Sequence, residues 1–254
     1  MEEPCVAVVS SHADSLASEV SATLRARGIR TRDVSPGALG TLHVDLREDV
    51  FSIDGQPVGG IFFRSSPDST FSEGFLADDR SFCDAEIGAT WLAALHLESI
   101  VAVNRYDAIA WFEGLDWPVW RRRLIEAGIP VSPFGFGEVR AEGPLYWCPY
   151  KSCAVEVASD PATRGVLGSA VTSSVHKQTT LMVCNYVIRG EANSNVLDAG
   201  KLLHEAGVRL AQIATDLDGR ILLVNTQPVI SDIHSVKPAV DLLAGLYHAH
   251  LRRW

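Results

Sequence analysis

The chain has 254 residues, 47% hydrophobic and 21% charged, with a formal net charge of -9 and a pI near 5.3. This is the composition of a globular protein and excludes disordered, collagen-like and coiled-coil chains. The acidic balance argues against a generic nucleic-acid surface. At roughly 150 residues per domain, the length fits one or two domains that can bury a core without disulfides or metal.

The N-terminal stretch MEEPCVAVVSSHADS carries an apolar run of only five residues, too short for a signal peptide or a spanning helix. The five cysteines contain no CxxC pair, so reduced thiols and a cytoplasmic location are expected. CVAVV (5–9) reads as a strand. The following pattern of Leu16, Val20 and Leu24 predicts a helix stopped by Gly28, with Ser10 or Ser11 as its N-cap. Ile29 to Val34 is the next strand. This β–loop–α–β opening is that of a doubly wound sheet.

LHVDL and DVFSI then alternate with period two, and Asp54-Gly55 predicts a hairpin turn. GGIFF (59–63) is a continuous apolar run, expected as a buried strand. Ser65 to Asp79 reads as a loop, Cys83 to Leu97 as a helix and IVAV (100–103) as a second buried strand. Asp116 to Ala127 is a helix opened by Trp117-Pro118 and stopped by Gly128.

The stretch 128–144 is rich in Pro and Gly and is the expected boundary. Beyond it the pattern predicts strands near 145–157, 170–175 and 180–188, then a helix near 197–207. A two-stranded unit over 210–225 and a last helix over about 238–251 follow. The expected domains are therefore 1–128 and 145–254, joined by a linker at 129–144.

The chain has no GxGxxG after the first strand, no GxxxxGK[ST], no HExxH and no GxSxG. Cys148 and Cys153 lack a zinc spacing, and His176, His204 and His234 are scattered over different elements. The run Arg121-Arg122-Arg123 reads as a solvated helix face with one stem packed on Trp120, or as an anion site suited to carboxylate or phosphate.

Five pieces in order carry a resemblance: IFFR ending in Arg64, DRSFCDAE with Glu86, IVAVN ending in Asn104, the helix 117–128, and IPVSP (129–133). A sixth is LAQIAT–DLDG–RILLVNTQP, with Asn225 and Pro228, followed by a helix. Together they cover about half of the chain. This order resembles the ATP-grasp ligases, in particular the branch of graspetide (microviridin-type) peptide ligases and the glutamate ligase that modifies a ribosomal protein. The resemblance implies an α/β fold: an N-terminal doubly wound pre-ATP-grasp domain followed by a shortened α+β ATP-grasp-like part.

It also implies ATP and magnesium as cofactors, and a ligand site between the two parts. The nucleotide would meet Lys151, Lys177, Arg189 and Asn225; a substrate carboxylate would meet Arg64 and Arg121. Magnesium would be held by Asn225 with Asp216, or alternatively Asp218, as a shifted carboxylate, because the two positions where the family carries acidic ligands read Ala214, or in the alternative alignment Thr215, and Leu223. A small-molecule or peptide carboxylate, or a protein partner, is the implied ligand, with no nucleic acid or membrane and with a homo-oligomer left open. The lost carboxylates point to a degenerate homologue, a pseudoenzyme that binds a ligand or partner in a biosynthetic or peptide-modification context. The alternative is an active carboxylate–amine ligase working through an acyl phosphate.

Overall fold

A computed structural model describes residues 3–10, 14–47, 49–64, 79–106, 116–132, 135–136, 146–149, 156–157, 168–171, 178–228, 230 and 233–254. The chain forms two compact units: Met1–Tyr106 with Ala206–Leu210 and Gln227–Trp254, and Asp107–Glu205 with Ala211–Thr226.

The first unit is built on β1 (Cys5–Ser10), β2 (Thr31–Val34), β3 (Val44–Arg47), β4 (Val50–Ile53), β5 (Gln56–Arg64) and β6 (Val101–Val103). The sheet order is β2-β1-β5-β4-β3, with β6 also on β5. β1, β2, β5 and β6 run parallel, and β3 and β4 add an antiparallel hairpin. The apolar runs read from the sequence are the buried centre: Val6, Ala7 and Val9 on β1, and Ile61, Phe62 and Phe63 on β5, have no exposed surface.

Helix α1 (Ser15–Ala26) buries Leu16, Val20 and Leu24 as its period requires. Its cap is neither of the expected serines. Ser10 ends β1, Ser11 lies outside the described residues, and Asp14 accepts the Ala17 N–H at 3.0 Å. Gly28 follows at φ +77°, a conformation glycine adopts without the Cβ penalty. Helix α2 (Arg80–His96) starts three residues earlier than its apolar pattern and buries Trp91 edge-on to Phe51, with centroids 5.4 Å apart.

The second unit contains α3 (Asp116–Glu126) and two four-stranded sheets. One comprises β7 (Gly135–Phe136), β8 (Tyr146–Pro149), β9 (Glu156–Val157) and β10 (Gly168–Val171), in the order β7-β10-β8-β9. The other comprises β11 (Gln178–Val183), β12 (Tyr186–Arg189), β13 (Leu210–Thr215) and β14 (Ile221–Asn225), in the order β12-β11-β13-β14. Helix α4 (Ser194–Glu205) precedes β13. The single strand expected over 180–188 is a hairpin: Cys184 and Asn185 take φ +49° and +69°, and β11 turns back into β12.

The last helix, α5 (Ile233–Leu251), starts five residues before Pro238 and belongs to the first unit. The residues after 128 therefore do not form one body. α5 packs on α1 and β5, and a Cβ on Gly60 would lie 2.6 Å from the Tyr247 ring. The Tyr247 hydroxyl, fully buried, donates to the Ile61 carbonyl at 2.9 Å. Conversely α3, expected in the N-terminal domain, lies in the second unit beside β14. Val131 forms a bridge with Ile221, the Ile221 N–H donates to Pro130, and the Ser132 N–H donates to Ile221.

Candidate functional site

The β13–β14 ladder decides which side chains can act together. Gln212 pairs with Asn225, Ile213 with Val224 and Ala214 with Leu223. Directly paired residues share a face and strand residues alternate, so Gln212, Ala214, Leu223 and Asn225 form one patch. Its centre is apolar: Ala214 is 2% exposed and Leu223 3%. Asn225 is half-buried at the open end of the ladder. The set offers two neutral amides and no carboxylate. Magnesium takes oxygen ligands, normally one or two carboxylates with phosphate oxygens, and this patch does not fit it.

Asp216 sits at the other end of the hairpin. One of its carboxylate oxygens accepts the N–H groups of Asp218 and Arg220, at 3.0 and 2.9 Å. The other accepts the Ser132 hydroxyl at 2.5 Å. Asp216 is thus the internal acceptor of the turn. Asn225 lies four strand residues from Ile221, about 13 Å along the strand, so the expected metal-holding pair of Asn225 and Asp216 is not brought together. The carbonyl of Gly219 in the same turn accepts from Asn193 at 3.3 Å and from Asn195 at 2.8 Å. Among the described residues, no group of three or more His, Cys, Asp and Glu is placed to hold a metal ion.

Arg64 is in the first unit, at the carboxyl end of β5 beside Ser10 of β1. Its Nε donates to Asp14 at 2.8 Å and its Nη2 to the Pro228 carbonyl at 2.9 Å. The pair is enclosed, with side chains 7% and 13% exposed. Nη1 is buried with no hydrogen-bond partner among the described residues. Asp14 therefore does two jobs: one oxygen caps α1 and the other holds Arg64. The sequence reading missed it because Ser10 and Ser11 precede it as equally suitable caps.

Arg121 lies half-buried on α3, and the neighbouring Arg123 stacks over the Trp120 ring at 5.0 Å. Arg189 ends the edge strand β12, exposed, opposite Leu181. Lys151 and Lys177 lie outside the described residues. Asn104 is buried at the end of β6, where it donates to the Leu210 carbonyl and accepts the N–H groups of Arg209 and Leu210. It is a strand tie rather than a ligand contact. Burial pushes the Cys5 thiol up to about 11, which keeps it protonated at neutral pH.

Solved structures show which fold this is. An ATP-grasp ligase, PsnB, complexed with minimal precursor, Mg and ADP, superposes with a TM-score of 0.69 at 16% identity, covering 97% of this chain and 98% of that one. The chain has the ATP-grasp fold. The macrocyclase MdnC from Microcystis aeruginosa MRC, bound with precursor peptide MdnA, gives 0.69 at 10% identity over 96% and 99% of the two chains. A RimK domain ATP-grasp protein from Sphaerobacter thermophilus DSM 20745 gives 0.58 at 14% identity over 97% and 99%. No protein-family model and no curated protein matches the sequence. The ATP-grasp fold is thus present over nearly the whole chain, with an apolar pair on β13–β14 where the resemblance implies carboxylates. No helix among the described residues is long and apolar enough to cross a membrane.

Proposed function

We propose that this chain is a degenerate ATP-grasp-fold protein that binds a carboxylate-bearing ligand, a peptide in a biosynthetic or modification setting, without magnesium–ATP chemistry. The observation that carries this reading is the Ala214–Leu223 pair at the centre of the β13–β14 face. A triphosphate brought there without metal-holding carboxylates would depend on cations such as Arg189, Lys151 and Lys177. Each exposed contact contributes about 0–1 kcal/mol, against about 8 kcal/mol for micromolar affinity. The peptide class is supported by structural neighbours described with precursor peptides. Arg64 is the proposed anchor for the carboxylate, since a guanidinium suits it and Nη1 has no acceptor among the described residues.

The alternative, an active carboxylate–amine ligase, draws its support from the Mg and ADP named with PsnB. Incubating the full chain with ATP, magnesium and a glutamate-containing peptide separates the two. The proposal expects no ADP above the protein-free blank. Magnesium-dependent ADP release that rises with peptide concentration would establish the ligase instead.

A further inference from the structure

The first unit contains a cavity of about 460 Å³ that the ATP-grasp reading does not use. It lies between α1 and the short 3-10 helix Pro36–Thr41, against the carboxyl-terminal residues of β1 and β2. The carboxyl ends of the strands are the side on which open α/β sheets place ligands, and the volume is that of a small-molecule pocket. The space exists because its walls carry small side chains: Ala17 and Ala22 on α1, and Ala38 on the 3-10 helix. Val8, Val34 and Leu42 supply apolar wall.

The polar lining has a definite chemistry. Asp33 accepts the Ser21 hydroxyl on one carboxylate oxygen and the Arg25 guanidinium on the other, both at 2.6 Å. Ser21 is buried, so it fixes the carboxylate, while Asp33 itself stays half exposed to the cavity. Each carboxylate oxygen has two acceptor directions and has used one on these partners. Two adjacent acceptors are left, the arrangement a vicinal diol can donate to. Ser10, Ser18 and Ser35 add hydroxyls to the lining. The lining arginines are already paired: Arg25 with Asp33, and Arg32 with Asp54 and the Ile53 carbonyl. Among the described lining residues no surplus positive charge remains for a phosphate.

We infer that this cavity binds a neutral ligand through a ribose-type cis-diol held by Asp33, with an apolar or aromatic body against Val8, Val34 and Leu42. Two sources share that chemistry, a free pentose and a nucleoside, and the apolar wall favours the nucleoside.

The experiment titrates the full chain with adenosine, 2′-deoxyadenosine, ribose and AMP. Calorimetry gives affinity, and amide shifts of Ser10, Ser21 and Ser35 give location. Adenosine should bind in the millimolar range or tighter and at least about tenfold more tightly than 2′-deoxyadenosine, the effect of one hydrogen bond to a charged group. Ribose should bind more weakly and AMP no better than adenosine. Asp33→Asn should erase the preference for the diol. Ala22→Trp, at an exposed helix position, should block binding with an unchanged melting temperature. Equal affinity for adenosine and its 2′-deoxy form, no binding at millimolar concentration, or full affinity in Ala22→Trp would each overturn the inference.

Discussion

At the end of β5 a guanidinium is held 7% exposed against a carboxylate 13% exposed, whereas in the middle of the β13–β14 ladder the facing side chains are a methyl and an isobutyl group. Both places are enclosed, yet only one carries charges. Breaking a buried ion pair by removing one partner costs several kcal/mol, while replacing both groups by apolar ones of similar volume is nearly neutral. Two like-charged carboxylates without a metal would repel each other on such an enclosed face, and Ala214 with Leu223 avoids that cost. Arg64 cannot leave so cheaply, because its partner Asp14 also caps α1.

The largest expected effect tests that asymmetry. Arg64→Met should destabilise the chain by about 3–5 kcal/mol in chemical denaturation, because Asp14 is left buried and unpaired. Adding Asp14→Asn, which keeps a capping oxygen, should recover most of the loss. If Arg64→Met alone is neutral, the two regions do not differ in the way described.

A middle-sized effect concerns the turn that ties β13 to β14. Asp216→Ala removes the acceptor of two backbone N–H groups and of the Ser132 hydroxyl. It should cost about 1–3 kcal/mol, with magnesium changing neither the wild type nor the variant. A variant of unaltered stability would point instead to a ligand role for Asp216.

The smallest effect is an exposed pair that serves as the baseline. The Arg32 hydrogen bond holds the Asp54 carboxyl below its ordinary 3.8. A depressed folded value means that its stabilisation is complete above the unfolded pKa and is lost as pH falls through the folded one. The stability gap between wild type and Asp54→Asn should therefore be constant near neutrality and close only below about pH 4. A gap that widens on acidification would reverse the sign.

Local pattern made much of the fold legible. Helix α1 follows from Leu16, Val20 and Leu24 with Gly28, and strand alternation alone puts Leu223 and Asn225 on one face, as the ladder register does. What escaped was set by distant partners. The home of α5 depends on Tyr247 meeting Gly60 and Ile61, 186 residues away from the latter. Asp216 looked like a free carboxylate because Ser132, 84 residues earlier, is its partner. The β11–β12 turn was missed because Cys184-Asn185 lacks the glycine that usually announces a two-residue hairpin. Asp14 was passed over because neighbouring serines make equally good caps, and only its bond to Arg64, 50 residues on, distinguishes it.

The central claim is that the β13–β14 face has lost the capacity to hold magnesium on a nucleotide. The direct measurement is the thermal stability of wild type and of Ala214→Asp/Leu223→Glu, each with ATP and with or without magnesium. A ligand at about a hundred times its dissociation constant stabilises by roughly 2.7 kcal/mol. The wild type should show no magnesium-dependent shift, while the double variant should lose stability without metal and regain part of it with magnesium and ATP. A magnesium-dependent shift of that size in the wild type, abolished by Asn225→Ala, would contradict the account.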